Sequence, residues 1–393
     1  MEKKQRRIGL YWRIMIIVGV ILFTFFLLGW VTPFGNFYAE HVYPKLYEVV
    51  GRFADIFPFS VGELLRYSVA VYGAVTVVLL IVGGIIFLRK KLRRRTGATR
   101  FGGFLRGYMK VFLALFAAGL WLYVFHWWIP YHDYALGVKE HRTEFTLEEI
   151  RTARNAIVDR MNEAIAKLPR DAGGSIVYPD EETMFQTMVS SMRSLSDEYP
   201  RLGGFYAHPK IAWCSDVLEW MGIGGYTYPY VMEATYNKYT SKLFWYDLLA
   251  HEASHNKGYY KENEANFVGF LACYRSDDPI MIVSGCLGIF GLMDDYYYGA
   301  LLQKHGGNEQ AAAEEYFAQP QPLPVIYDDA REAQEVVDEQ YAEDDHPLEE
   351  YKETAEEVAE TGWDTQETLI EGSGYNDAVY LVTEYFANIG AGK

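Results

Sequence analysis

Cysteine is scarce: Cys214, Cys273 and Cys286 are the three in a chain of 393 residues. So few exclude a disulfide framework, and their spacing matches no cysteine-built metal motif, so they read as small buried apolar residues. A single Cys273–Cys286 bridge stays open if the domain faces an oxidising compartment. Basic residues are scarce too, but only after residue 130. Residues 1–130 hold 17 Lys/Arg and 5 Asp/Glu, and the remaining 19 basic and 47 acidic residues give residues 131–393 a balance of −28. The overall charge of −16 excludes a nucleic-acid binder, because phosphate contacts need a surplus of Lys and Arg. Opposite balances in the two parts imply two environments. No internal repeat is present.

What the first part has in excess is apolar length. Three runs, about 12–32, 67–88 and 109–130, approach or exceed the roughly 20 residues of helix that cross a hydrocarbon core. The first is too long for the core of a signal peptide, and no small-residue cleavage site follows it. Trp127, Trp128 and Tyr131 cluster where an interfacial belt is expected. Lys and Arg are retained on the cytoplasmic side, so the basic N-terminal tail and the acid-free 89–106 loop are expected inside. The 33–65 loop and everything after 130 are then expected outside the cytoplasm.

After the anchor, a Thr/Glu capping pattern and helical apolar spacing predict a helix over about 145–168, and a second is expected over 180–199. Aromatic, Thr and Gly punctuation in 203–240 predicts a short helix and then one or two strands. Helices are expected at about 243–257 and 261–275, followed by an apolar segment at 279–292. Beyond 306 the chain turns acidic, partly helical or loosely ordered to about 370. A closing helix at about 374–389 is expected to dock on the core.

The segment His251-Glu252-Ala253-Ser254-His255 is HExxH without Pro or Gly. Residues four apart share a helix face, so both imidazoles can reach one ion. Imidazole suits zinc, and Glu252 beside the first ligand can act as general base toward a water on the metal. A catalytic zinc site needs a third protein ligand. Gly258 lets the chain turn, and Glu262 or Glu264 then arrives at the start of the next helix. An oxyanion stabiliser is also expected, with Tyr226, Tyr259, Tyr260, His208 and Tyr375 as candidates.

HExxH followed by Glu262-Asn263-Glu264-Ala265-Asn266 resembles the zincin peptidases whose third ligand is a glutamate. That resemblance implies Glu262 as the ligand, with Glu264 as the competing choice, and Asn266 as the residue that orients a ligand histidine. It also implies that the Gly224–Asn237 strand, with Glu233 and Asn237, forms a substrate rim pairing with an extended peptide. Pro209-Lys210, Gly224-Gly225-Tyr226, Pro229, Glu233-Ala234, Asn237, the metal motif and Gly374-Tyr375 further resemble a bacterial family of membrane proteins, domain of unknown function 3810, placed in the same peptidase clan. The acidic insertion around 307–370 departs from that family's pattern.

The expected architecture is α+β, mostly α. It comprises a three-helix membrane anchor (1–130), a zincin-like catalytic domain (131–306) and an acidic extension (307–393) ending in the docking helix. The expected function is a membrane-anchored zinc metallopeptidase with one zinc ion. It would cut a peptide or protein substrate on the extracytoplasmic side of the cell membrane, with Glu252 as base. The alternatives are a membrane sensor or scaffold with a non-catalytic zinc site, and a zinc hydrolase of a non-peptide amide in the cell envelope.

Overall fold

The structure, a computed structural model, describes residues 9–94, 99–134, 136, 141–346, 349–355 and 377–390. It is mostly helical. Among the described residues, four helices are long and apolar enough to cross a membrane by length and composition: Leu10–Gly29 (α1), Val61–Leu92 (α4), Arg100–Tyr131 and Pro279–Lys304 (α12). The third is built of α5 (Arg100–Tyr123), a π-helical turn at Val124–Trp128 and a last turn, α6 (Ile129–Tyr131). The first three lie almost bare, whereas more than half of the apolar window of α12 is buried inside the protein. Hence α12, longer than its expected 279–292 segment, is a core helix among the others.

The 33–65 segment, expected as a loop, forms two helices, α2 (Thr32–His41) and α3 (Tyr43–Asp55). Pro33 and Pro44 stand in their first turns, where a missing N–H costs nothing. Tyr38, Tyr43 and Tyr47 from these helices join Leu22, Val124, Ile129, Met232 and Tyr260 in one buried cluster. An apolar core therefore runs across residue 130, joining the long helices to the second half of the chain.

In that second half, α7 (Leu147–Ile165) opens with Thr146 and Glu149 capping each other, as their spacing predicts. With α8 (Glu181–Ser194), α10 (Trp245–Asn256), α11 (Glu262–Tyr274), α12 and the closing helix α15 (Ala378–Gly390), it encloses the main core around Met161, Met188, Tyr246 and Phe270. The sheet is small, in the order β1-β3-β2. β1 (Lys210–Ile211) runs parallel to β3 (Glu233–Tyr236), and β2 (Gly225–Tyr228) pairs antiparallel with β3. The short helix α9 (Ser215–Trp220) links β1 and β2.

The described part of the acidic extension includes α13 (Glu309–Phe317) and α14 (Val325–Glu343). Asp329 of α14 is held by both terminal nitrogens of Arg170 at 2.7 Å, and Tyr341 accepts from the Trp220 indole at 2.7 Å. These bonds strap the helix to the domain.

Candidate metal centre

One helical turn separates His251 and His255 on α10, and their rings meet edge to face with centroids 4.6 Å apart. The helix ends at Asn256, and the chain turns away at Gly258, whose φ of +90° is a left-handed geometry that glycine adopts without strain. The backbone N–H of Tyr259 then bonds back to the Ser254 carbonyl at 3.1 Å, closing the turn. That turn aims the Tyr259 carbonyl at Nδ1 of His255, 2.9 Å away. The next helix, α11, comes back against α10. Close approach depends on Gly269, where a Cβ would come within 2.9 Å of the His251 backbone nitrogen. The result sets Asn266 Oδ1 2.7 Å from His251 Nδ1.

Each imidazole thus donates its Nδ1–H to an oxygen and leaves Nε2 for another partner. The two Nε2 atoms lie 3.0 Å apart. Oxygens of Glu262 lie 3.3 Å from Nε2 of His251 and 3.6 Å from Nε2 of His255. Among the described residues, His251, His255 and Glu262 form the group whose ligand atoms all fall within 4.8 Å of one another. Zinc–nitrogen bonds of 2.0–2.1 Å in a tetrahedron put neighbouring ligand atoms ~3.3 Å apart, so this donor set fits that ion. Lone pairs of three acceptors pointed at one another repel unless a proton or a metal lies between them.

The electrostatics agree. Burial lowers the pKa of His251, but Glu262, Glu252 and Asp247 outweigh it and raise it to about 9. Burial raises that of Glu262, yet the two imidazoles win and hold its carboxyl well below the usual range. Burial pushes Glu252 upward against the pull of His251, His255 and Thr227. A buried carboxylate with a raised pKa is suited to accept and return a proton.

Glu252 is 3% exposed, and the Thr227 hydroxyl lies 2.9 Å from its Oε2 and 3.0 Å from its backbone carbonyl. Thr227 carries no motif and is not among the expected site residues; pairing of β2 with β3 places it against α10. Glu264, the competing ligand, is buried and paired with Lys261 at 2.9 Å, outside the His251–His255–Glu262 group.

The rim candidates are scattered. Alternation along β2 turns Tyr226 and Tyr228 away from Thr227, toward Arg66 and Gly62 of α4. Glu233 is fully buried, paired with Lys210 at 2.8 Å and bonded by Ser60 and by the backbone of Gly62, so it clamps the sheet to the start of α4. Asn237 is buried and donates to Glu219 at 2.6 Å. Tyr259 offers the site its carbonyl, while its ring packs near Arg201. The Tyr260 ring stacks beside His255 with centroids 6.4 Å apart. His208 is held by Asp55 at 3.1 Å, against the Phe185 ring. Tyr375 lies outside the described residues.

A family model described as protein of unknown function (DUF3810) matches residues 38–365. No curated protein and no solved structure matches the chain. The matched span begins inside α2, continues past α14 and contains the whole of the His251–His255–Glu262 group. Covering well over half of the sequence, it shows that the chain belongs to the DUF3810 family.

Proposed function

We propose that the chain is a membrane-integral, zinc-dependent peptidase of the zincin type, anchored by α1, α4 and the α5–α6 helix, with its metal domain outside the cytoplasm. The observation that carries this reading is the convergence of the two Nε2 atoms and the Glu262 carboxylate, each imidazole fixed from behind by a separate acceptor. The bare surfaces of the three N-terminal helices and the excess of Lys and Arg at 89–106 support the anchor and its orientation.

His251, His255 and Glu262 would hold the ion. Zinc there supplies Lewis acidity toward a carbonyl and a water. Glu252 accepts the proton released as water adds to the scissile carbonyl, then returns it to the departing amine nitrogen as the C–N bond breaks. Thr227 keeps Oε2 of Glu252 in place. A buried carboxylate held by its own hydrogen bond beside the ligands favours a catalytic site over a purely structural one.

The test is turnover of a random peptide pool by the purified full chain in detergent, beside Glu252→Gln, with zinc content measured on both. The peptidase reading expects zinc in both and cleavage in the wild type alone. Cleavage undiminished in Glu252→Gln removes the base from the reaction. Zinc without any cleavage by the wild type favours the sensor reading.

A further inference from the structure

Both walls of the metal centre rest on the ends of the long apolar helices. One wall is the loop after His255. The Tyr260 hydroxyl donates to the His126 carbonyl at 2.6 Å and meets the Tyr43 hydroxyl at 2.7 Å. The other wall is β2, which holds Glu252 through Thr227. Its turn into β3 presents the Pro229 and Tyr230 carbonyls to His126 Nδ1, at 3.2 and 3.1 Å. His126 therefore grips both walls, and it does so from the π-helical turn of the third long helix. Such turns are rare insertions that cluster at functional sites.

The underside of this platform is apolar. Helix α3 buries Tyr43, Tyr47, Gly51 and Ala54 against the domain, and Tyr43 touches Gly258 and Tyr260 of the metal loop. A separate stripe, Val49, Phe53 and, just past its end, Ile56, is exposed at 70%, 59% and 73%. Trp30 and Phe37 are exposed beside the same junction, at 62% and 54%. A helix that leaves such apolar residues exposed, lying between two candidate spans, matches an interfacial helix seated in the headgroup region. Trp30 packs against Trp128, and Trp127 against Tyr131, supplying the aromatic belt expected at that depth.

The metal loop thus stands on the back of a helix that leaves apolar residues exposed on another face. A helix with its side chains is about 10–12 Å across, a height spanned by about four extended residues at ~3.3 Å each. Resting on the peptidase reading above, we propose that the substrate is a membrane-anchored polypeptide, cut close to the point where it leaves the bilayer. An anchored chain is confined to the surface on which the centre stands, which raises its effective concentration there.

The experiment uses the full chain with zinc in phosphatidylethanolamine–phosphatidylglycerol vesicles. Two random-sequence peptide pools are offered, one carrying an N-terminal palmitoyl group and one without it, and cut positions are read by mass spectrometry. Cuts that vanish in Glu252→Gln are scored. The proposal expects these cuts to fall mainly within about ten residues of the acyl group, about four to span the height of the platform and the rest to lie across the centre. Cut position does not depend on surface concentration, so enrichment alone cannot mimic this result. Glu252-dependent cuts spread evenly along the anchored peptides overturn the proposal and leave the peptidase reading standing. No Glu252-dependent cut in either pool overturns both.

Discussion

Asn266 Oδ1 sits 2.7 Å from Nδ1 of His251, so a residue on α11 sets the direction in which an imidazole on α10 points. Removing the acceptor takes away one restraint on the imidazole's orientation. Asn266→Ala is expected to weaken zinc binding by about 10–100-fold, the usual effect of losing an outer partner of a ligand histidine. Asn266→Asp keeps an acceptor and is expected to retain affinity. Chelator competition checks both, and equal affinity in Asn266→Ala would contradict the role.

The proton and the metal compete for the same imidazoles. With its pKa raised to about 9, His251 of the metal-free protein is protonated at neutral pH. Zinc affinity is expected to climb with pH to about 9 and then flatten. The sign for folding is the reverse. The raised pKa stabilises the metal-free fold fully below 6.5, and that contribution is lost as pH rises through 9. Chelator competition and denaturant unfolding across a pH series measure the two trends, and an affinity independent of pH would refute the first.

Thr227 supplies a hydroxyl 2.9 Å from Oε2 of Glu252. Thr227→Val keeps the shape and deletes the donor. A hydrogen bond to a charged group is worth ~1.5–3 kcal/mol, so turnover is expected to fall roughly 10- to 100-fold with zinc content unchanged. A variant that loses zinc instead would place Thr227 in the metal shell.

Glu233 and Lys210 are both buried and paired at 2.8 Å, with Ser60 and the first turn of α4 completing the carboxylate's partners. Deleting one partner strands the other charge. Glu233→Ala is expected to cost on the order of 3–5 kcal/mol of stability. Denaturant unfolding in detergent measures it, and a change below ~1 kcal/mol would contradict the clamp.

Local patterns were legible in the sequence, and long-range docking was not. The helices α7 and α15 announce themselves by apolar spacing, and HExxH places two imidazoles on one helix face by helical geometry alone. Glu262 and Asn266 followed from the resemblance. Glu264 was a fair rival on spacing, until its pairing with Lys261 separated it from the imidazoles. The helix α3 carries a clear amphipathic period that a reading of 33–65 as a loop passes over, whereas α2 is short and only weakly periodic. His126 is a lone histidine inside an apolar run, and its partners lie more than 100 residues away. Thr227 owes its position to β2–β3 pairing with Ala234, which no local pattern encodes.

Zinc content of the purified full chain, compared among single-residue variants, bears most directly on the metal centre. The expected result is about one zinc per chain in the wild type and in Glu264→Gln, with most of it lost in His251→Ala, His255→Ala and Glu262→Gln. A wild type that takes up no zinc, or a His251→Ala variant that holds as much as the wild type, would contradict the account.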